Sequence, residues 1–493
     1  MARAVVIGAG FGGIAAALRL RARGYSVTLV DRCQRVGGRA QVLERDGFRH
    51  DAGPTVITAP FLFDELFQLF GKNRADYCEF IPLDLWYRFY FADGETFDYG
   101  GTVEQTLTEI ERIAPGESPG YLRLLEQSRK IFDVGFTQLA DQPFHSVGTM
   151  LRQVPNLLRL GCQRTVWQFV CHHLRSDRLR RAFSIQPLLV GGNPFETTCI
   201  YSLIHFLERK WGVYFPRGGT GAVTAALEKL MREVGIEILT GETVRKISTK
   251  GRLATALELE SGHHLEAEIF VSNTDPLHLY RDLLEPRSQG PLFRLKQRRM
   301  QQSMGLFVLF FGTSRTYPEV AHHTIWFGER YRELIQEIFH GTKLPPDFSL
   351  YLHRPTATDP SFAPAGCDSY YVLAPVPNLR AEIDWDTEGP ALRDRIVRAL
   401  EKSILPDLQT TIRSDFFMTP NDFANDYLSV LGAGFSTSPV FSQSAWFRFH
   451  NRSEYLKNLY LVGAGTHPGA GVPGVLCSAK VMDRLIAHDG SPR

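Results

Sequence analysis

The sequence predicts an α/β protein built around a Rossmann-like nucleotide-binding domain. A short β-branched run, Ala4 to Ile7, leads directly into the turn Gly8-Ala9-Gly10-Phe11-Gly12-Gly13. A stretch with helical spacing follows from Ile14 to Arg23, and a second strand runs from Ser26 to Asp31. This order of strand, glycine turn, helix, strand and acid is the one that a dinucleotide fold requires.

The residues of this motif have distinct physical roles. Gly8 permits the tight turn, Gly10 lets the backbone approach a pyrophosphate, and Gly13 lets the helix pack closely on the strand. The helix N-terminus offers unpaired N–H groups to phosphates. Asp31, eighteen residues after Gly13, is placed to accept hydrogen bonds from a ribose hydroxyl.

Glycines elsewhere in the chain indicate FAD rather than NAD. Gly37-Gly38-Arg39 comes shortly after the acid and is followed by Asp51-Ala52-Gly53-Pro54-Thr55. A Gly-Gly-Arg beyond the acid is typical of flavoproteins in which the chain returns along the cofactor, and Arg39 can pair with the diphosphate as a planar fork. Asn458 to Val475 then reads as strand, glycine-rich loop and helix start, where the backbone can approach a flat ring.

The middle of the chain adds two further cofactor positions. Val244 lies where such folds place a backbone contact to adenine, and the segment Ser272 to Pro276 is expected near the ribityl chain or the phosphates. The predicted cofactor-binding residues are Gly8, Gly10, Phe11, Gly12, Gly13, Asp31, Arg32, Gly38, Arg39, Gly53, Pro54, Thr55, Val244, Asn273, Gly463, Gly465, Gly474 and Val475.

Length and composition limit the remaining function classes. A chain of 493 residues is expected to form about two or three lobes. The balance of 55 basic and 53 acidic residues, a net charge of +2, argues against nucleic acid as a partner. Seven cysteines without a CxxC pair are expected to be free thiols in a reducing compartment. No stretch approaches the roughly 20 apolar residues of a spanning helix, so a soluble or peripheral protein is expected.

No metal site is predicted. Cys171-His172-His173 lacks a second, spaced half that would complete a set of ligands. His322-His323 is expected in a loop or at a strand edge rather than as a catalytic pair.

The predicted domains interleave along the chain. Residues 1–80, 212–290 and 415–493 form a discontinuous FAD-binding domain, residues 81–102 and 291–414 an antiparallel β-sheet substrate domain, and residues 103–211 a helical subdomain. The aromatic hairpin of residues 85–99 and the apolar strand Met304 to Phe311 suit the walls of an apolar cavity, although sheet packing alone would also explain the hairpin's aromatics.

The segment from Leu151 to Arg181 is unusually basic. Arginines alternate with Leu, Val, Phe and Trp residues, and Asp177 is its only acid. A basic amphipathic segment with a Trp matches a helix that lies on an anionic bilayer, so this subdomain is predicted to associate with membrane. The alternative is a solvated basic face on helices of the core.

Several segments together resemble the bacterial and fungal-type phytoene desaturases, and the resemblance covers essentially the whole chain. The C-terminal block is close to the carotenoid-dehydrogenase signature, whereas the N-terminal glycines alone indicate only the wider amine-oxidase-like (GR2) flavoproteins. The resembling segments are residues 8–13, 37–39, 51–58, 188–195, 211–221, 348–353, 370–377 and 461–475.

The resemblance implies an FAD-dependent enzyme on the cytoplasmic side of a membrane. It would convert 15-cis-phytoene to all-trans-lycopene or neurosporene by successive dehydrogenations, with hydride transfer to flavin and reoxidation by dioxygen or a quinone. Because phytoene is a hydrocarbon without a polar group, it has to be drawn from the bilayer into an apolar tunnel, which favours the membrane interpretation of the basic segment.

Arg152 is the candidate catalytic residue, placed near the head of the substrate, while the flavin carries most of the chemistry. Glu126, Arg129, Glu208 and Arg209 lie in helical stretches that could border the cavity, but they are expected to be surface or ion-pair residues. The alternatives are a desaturase of a C30 or hydroxylated carotenoid, another amine-oxidase-like flavin oxidoreductase, and a non-catalytic carotenoid carrier.

Overall fold

A computed structural model describes residues 1–144, 148, 155–156, 159–285 and 289–488. Its first lobe is built on a five-stranded parallel sheet, as the N-terminal motif predicts. The order from edge to edge is Leu459–Leu461, Ile269–Ser272, Arg3–Ile7, Ser26–Asp31 and Glu237–Thr240.

Helix Phe11–Ala22 packs on this sheet and also contacts two further helices, Gly219–Glu233 and Val472–His488. Helix Phe11–Ala22 carries Ala15, Ala16 and Ala17, all fully buried, because small side chains allow close packing of helix on helix. A three-stranded antiparallel sheet completes the lobe, and its strands are Val244–Lys250, Leu253–Leu259 and His264–Glu266.

The second lobe contains a seven-stranded sheet. Its order is Ile412–Met418, Gly305–Thr313, Asp368–Val376, Leu350–His353, His323–Trp326, Leu85–Tyr90 and Thr96–Gly100. The prediction of an antiparallel sheet is wrong for one neighbouring pair, in which Thr324 lies opposite Arg88 in a parallel register. These two strands come from distant parts of the chain, so no hairpin fixes their direction. The predicted domain boundary after residue 414 falls within the edge strand Ile412–Met418.

Helices and two short strand pairs complete the architecture. Among the described residues, no helix combines the length and the apolar character that crossing a bilayer takes. The further helices are Phe61–Gln68, Val103–Ile113, Ser118–Phe132, Val166–His173, Asp177–Phe183, Leu203–Trp211, Pro276–His278, Pro291–Arg299, Tyr331–His340, Trp385–Ser403, Leu408–Thr411 and Pro420–Tyr427. The strand pairs are Val42–Arg45 with Phe48–Asp51 and Phe80–Pro82 with Tyr214–Pro216.

The described part of the basic segment Leu151 to Arg181 directs its apolar residues inward. Two short helices of this segment, Val166–His173 and Asp177–Phe183, turn their apolar side chains towards the core. The buried residues include Val166, Phe169, Val170 and Leu174. Arg178 pairs with Asp93, and Arg181 pairs with Asp177 at 2.8 Å. This arrangement fits the alternative of a basic face on core helices, whereas Arg152, Leu157 and Leu158 lie outside the described residues.

Candidate active site

A continuous cavity extends from the carboxyl ends of the parallel strands to the seven-stranded sheet. Ligands of open α/β sheets bind at this end of the strands. Every predicted cofactor-binding residue except Gly13 lines the cavity, so the structure brings together positions from both ends and the middle of the chain.

The glycine turn leaves room for a ligand beside its backbone. Gly8 has a φ of +92°, in the left-handed region that favours glycine. A Cβ atom on Gly10 would lie 2.9 Å from Asn273 Nδ2, and one on Gly13 would lie 1.8 Å from the Gly8 carbonyl oxygen. Gly13 therefore does not face the cavity but lets helix Phe11–Ala22 pack on the first strand, which is the role predicted for it.

Asp31 is held at the end of its strand by two backbone groups. Its Oδ2 accepts a hydrogen bond from Ala9 N at 2.5 Å, and its Oδ1 accepts one from Cys33 N at 2.7 Å. The carboxylate lines the cavity, and carboxylate oxygens can accept further hydrogen bonds. Helix Phe11–Ala22 has no side-chain cap, so its first N–H groups can serve an anion. These features fit the ribose and diphosphate of a bound dinucleotide.

Arg39 is half-buried at the wall of the same cavity. Its guanidinium donates to the Gly434 carbonyl oxygen and to Ser429 Oγ, and desolvation lowers the Arg39 pKa although Asp275 lies nearby. Arg39 thus holds the segment 429–434 at the wall of the cavity through these hydrogen bonds. Its pairing with a diphosphate stays a prediction.

Arg448 is a buried cation that the sequence reasoning missed. Its Nη2 donates to the carbonyl oxygens of Thr437 at 3.0 Å and Ala464 at 2.7 Å, whereas its Nε and Nη1 have no hydrogen-bond partner. Burial lowers the pKa of this guanidinium. It lies under the glycine-rich loop that precedes helix Val472–His488. An arginine within Trp446-Phe447-Arg448-Phe449 is the sequence signal that could have found it.

The other end of the cavity is apolar. Two helices and the inner strands of the seven-stranded sheet supply its walls. The aromatic hairpin of residues 85–99 is not part of this lining, so its suggested role as a cavity wall is wrong. Its rings pack instead against Phe183, His205 and Phe327, within a core that adjoins the cavity at Phe327. The apolar lining includes Leu203, Leu207, Met304, Leu306, Ile325, Phe327, Leu334, Ile335 and Ile338.

Glu208 lines this apolar part of the cavity and is itself only 2% exposed. Its Oε1 accepts a hydrogen bond from the Tyr87 hydroxyl at 2.8 Å. Desolvation raises the Glu208 pKa to about 7, against the smaller opposing effects of Tyr87 and Arg209. The expectation of a surface or ion-pair residue is therefore wrong for Glu208.

The other charged candidates lie away from the cavity. Arg209 is bound to the Tyr99 and Tyr121 hydroxyls, each at 3.1 Å, within the core. Glu126 and Arg129 form an exposed ion pair at 2.8 Å, as predicted. Arg152, the residue predicted to be catalytic, lies outside the described residues.

The comparisons with known proteins agree with this geometry. The family model "Flavin containing amine oxidoreductase" matches residues 11–481. A lycopene-forming phytoene desaturase from Pantoea ananas is 47% identical and covers 98% of this chain and 99% of its own. A neurosporene-forming phytoene desaturase from Rhodobacter capsulatus is 40% identical and covers 100% of this chain and 95% of its own. The chain belongs to the phytoene desaturase family.

The desaturase family membership confirms the resemblance predicted from the sequence, and the matching family model implies a flavin cofactor. A solved structure of cyclohexylamine oxidase from Brevibacterium oxydans has a TM-score of 0.65 and 17% identity, and the match covers 99% of both chains. This likeness shows that the desaturase shares the fold of flavin amine oxidases, with a parallel Rossmann-like sheet and a mixed second sheet.

Proposed function

We propose that this protein is an FAD-dependent phytoene desaturase that converts 15-cis-phytoene to all-trans-lycopene or neurosporene by successive dehydrogenations. The observation that carries the proposal is the full-length identity of 40 to 47% with desaturases of these two product classes. The cavity supports it, since one end carries the nucleotide-binding residues and the other is an apolar pocket suited to a hydrocarbon.

The residues of this chain position the substrate and exclude water. Apolar walls from helices Leu203–Trp211 and Tyr331–His340 orient a flexible polyene, which lowers the entropic cost of reaction. When bound, the flavin would supply the acceptor for the hydride, with dioxygen or a membrane quinone as the proposed final electron acceptor. Glu208 is the proposed acceptor for the proton of the neighbouring carbon, because a carboxyl with a pKa near 7 is matched to proton transfer at neutral pH.

The test of this function is expression in a bacterium that makes phytoene, followed by chromatography of the pigments. Red lycopene, or neurosporene, is the expected product. The control is the same strain with the Gly13→Ala chain, in which the glycine turn is disrupted. Colourless cells with FAD-loaded wild-type protein would contradict the assignment and would bring C30 or hydroxylated carotenoids forward as substrates.

The protein is further proposed to bind the membrane peripherally, on the cytoplasmic side, through helix Pro291–Arg299. Phe293 and Gln297 of this helix face the protein, whereas Leu292 is 82% exposed and Leu295 43% exposed. The helix contains no acidic residue, and its exposed basic side chains complement an anionic bilayer. The basic residues of the exposed face are Arg294, Arg298 and Arg299.

A neighbouring loop extends this exposed apolar surface. Gln301 N donates to Gln443 Oε1 at 2.7 Å and so ties the end of the helix to the segment 441–447. Phe441 is 52% exposed and Phe447 38% exposed on that segment. Exposed aromatic residues beside a basic helix support insertion at the headgroup boundary.

Flotation with anionic phospholipid vesicles distinguishes between the two candidate membrane-binding surfaces, helix Pro291–Arg299 and the segment Leu151 to Arg181. The Leu292→Glu/Leu295→Glu variant is expected to remain in the dense fraction. The variant with Arg175, Arg178, Arg180 and Arg181 changed to Glu is expected to float like the wild type, because those arginines stand over a core rather than beside an exposed apolar face. The opposite pattern would assign the contact to the segment Leu151 to Arg181.

A further inference from the structure

Three buried histidines meet at the ends of two paired strands in the seven-stranded sheet. His323 is the first residue of the strand His323–Trp326 and His322 directly precedes it, while His353 ends the next strand, directly opposite His323. All three side chains are buried, and one ring nitrogen from each lies within 4.8 Å of those of the other two. The structure thus forms a cluster from residues that the sequence presents as a loop or strand edge.

Each ring of this cluster uses one nitrogen in a hydrogen bond with an oxygen. His353 Nε2 lies 3.1 Å from Asp51 Oδ2, His323 Nδ1 lies 3.0 Å from the Trp86 carbonyl oxygen, and His322 Nδ1 lies 2.7 Å from Thr358 Oγ1. The second nitrogen of every ring, namely His322 Nε2, His323 Nε2 and His353 Nδ1, has no hydrogen-bond partner. An imidazole that donates its N–H to an oxygen keeps a lone pair on its other nitrogen.

All three imidazole rings are buried, and an imidazole binds a metal ion through the lone pair of a ring nitrogen. Arg354 is a cation near the cluster. Its guanidinium forms an ion pair with Asp368 at 3.4 Å and donates a hydrogen bond to the Tyr317 carbonyl oxygen.

We propose that His322, His323 and His353 form a binding site for a divalent transition metal, with Zn²⁺ as the best match. Imidazole nitrogen is a preferred ligand of Zn²⁺, and three histidines with a water in the fourth position are a known ligand set for this ion. Metal-bound histidines also direct their other nitrogen to a carboxylate or a carbonyl, which is the pattern that Asp51 and Trp86 provide here. Ring nitrogens that lie within 4.8 Å of one another would have to move towards a common centre to reach the Zn–N distance of about 2.0–2.1 Å.

The position of the site indicates a structural role rather than a step in desaturation. Phe215 packs on His322 and His353, with ring centroids 4.7 and 5.8 Å away, and shields the cluster from solvent. Asp51 also accepts hydrogen bonds from Thr220 N and Oγ1, at the start of helix Gly219–Glu233. A metal at the cluster therefore links the seven-stranded sheet, through Asp51, to the nucleotide-binding lobe. This inference does not depend on the identity of the substrate.

The experiment measures metal content by mass spectrometry in full-length FAD-loaded protein, made with Zn²⁺ in the growth medium and freed of any affinity tag. Wild type is expected to carry about one equivalent of Zn²⁺ per chain. His323→Gln is expected to carry at least about tenfold less. The matched control is His50→Gln, because His50 is also buried with an unpartnered Nε2 but stands outside the cluster.

The proposal would be overturned by wild type that holds no metal, and also by equal metal content in wild type and His323→Gln. Bound FAD per chain shows whether the variants are folded. X-ray absorption of the wild type at the zinc edge provides a test that needs no variant. A shell of nitrogen ligands at about 2.0–2.1 Å is expected, and a shell containing sulfur would place the metal at the cysteines instead.

Discussion

Glu208 combines burial with a position in the cavity wall, and together these set its acid–base behaviour. In the Glu208→Gln variant the side chain keeps its shape and can still accept from Tyr87, but it cannot take up a proton. We expect turnover to fall about 100-fold at pH 8, because general base catalysis contributes roughly 10² to 10⁴. The measurement is desaturation with FAD content held equal, and Glu126→Gln is the exposed control. Unchanged turnover would remove Glu208 from the mechanism.

The same carboxyl makes stability depend on pH. The folded protein raises the Glu208 pKa from 4.5 to about 7, so between these values the folded state binds more protons than the unfolded state. The stabilisation by protonated Glu208 is complete below pH 4.5 and is lost as the pH rises through about 7. Relative to wild type, Glu208→Gln should therefore gain up to about 3 kcal/mol in unfolding free energy between pH 5 and pH 8. If the unfolding free energies of wild type and Glu208→Gln changed equally with pH, the result would contradict this role of Glu208.

Gly13 offers a second test at the scale of one residue. A Cβ atom in the Gly13→Ala variant would overlap the Gly8 carbonyl oxygen, so helix Phe11–Ala22 has to move away from the strand. We expect the purified variant to lose most of its flavin absorbance. Ala17→Gly, in the same helix, costs about 1 kcal/mol in helix propensity without an overlap and should retain FAD. Equal FAD content in the two variants would show that the close approach at Gly13 is not needed.

At the scale of elements, helix Gly219–Glu233 receives its N-terminal cap from another part of the fold. Gly218 provides no side-chain cap, and Asp51 Oδ1 instead accepts from Thr220 N at 2.8 Å and Thr220 Oγ1 at 2.9 Å. A Cβ atom on Gly219 would lie 2.2 Å from the same oxygen, so a glycine is needed beside the carboxylate. The helix start and the strand Phe48–Asp51 therefore stabilise each other.

Removing one of these hydrogen bonds tests the coupling. Thr220→Val deletes the hydroxyl and keeps the backbone N–H, so we expect a loss of about 1 kcal/mol in unfolding free energy. Thr224→Val is the matched control, since Thr224 Oγ1 bonds only the Gly221 carbonyl oxygen of its own helix. Urea denaturation measures both, and a larger loss in the control would show that Asp51 is not the main cap.

At the scale of the whole molecule, the cavity makes the cofactor a link between the two lobes. Removing FAD should lower the unfolding temperature of both lobes. Returning FAD at about 100 times its dissociation constant should restore about 2.7 kcal/mol of stability. Thermal unfolding followed by intrinsic fluorescence at several FAD concentrations is the measurement. A temperature independent of FAD would contradict a cofactor bound between the lobes.

The nucleotide-binding half could be predicted because its signals are local. Gly8 to Gly13 and Asp31 lie within one strand-helix-strand unit, where spacing alone implies geometry. Three other features depend on contacts between distant segments, which no local pattern encodes. They are the parallel pairing of Thr324 with Arg88, the histidine cluster and the cap from Asp51. Glu208 was misjudged for a related reason, since Glu208-Arg209-Lys210 has the appearance of a solvated helix end although the first two side chains point into the protein.

The strand order of the parallel sheet has a consequence for biosynthesis. Its central strand, Arg3–Ile7, is made before the other four, whereas the edge strand Leu459–Leu461, two positions away in the sheet, and the loop with Gly463 and Gly465 are made after all of them. A nascent chain halted before residue 459 lacks one wall of the cofactor cavity. We therefore expect the flavin to bind only after residues 459–465 have been made, and until then the apolar strands have to avoid aggregation without help from the cofactor.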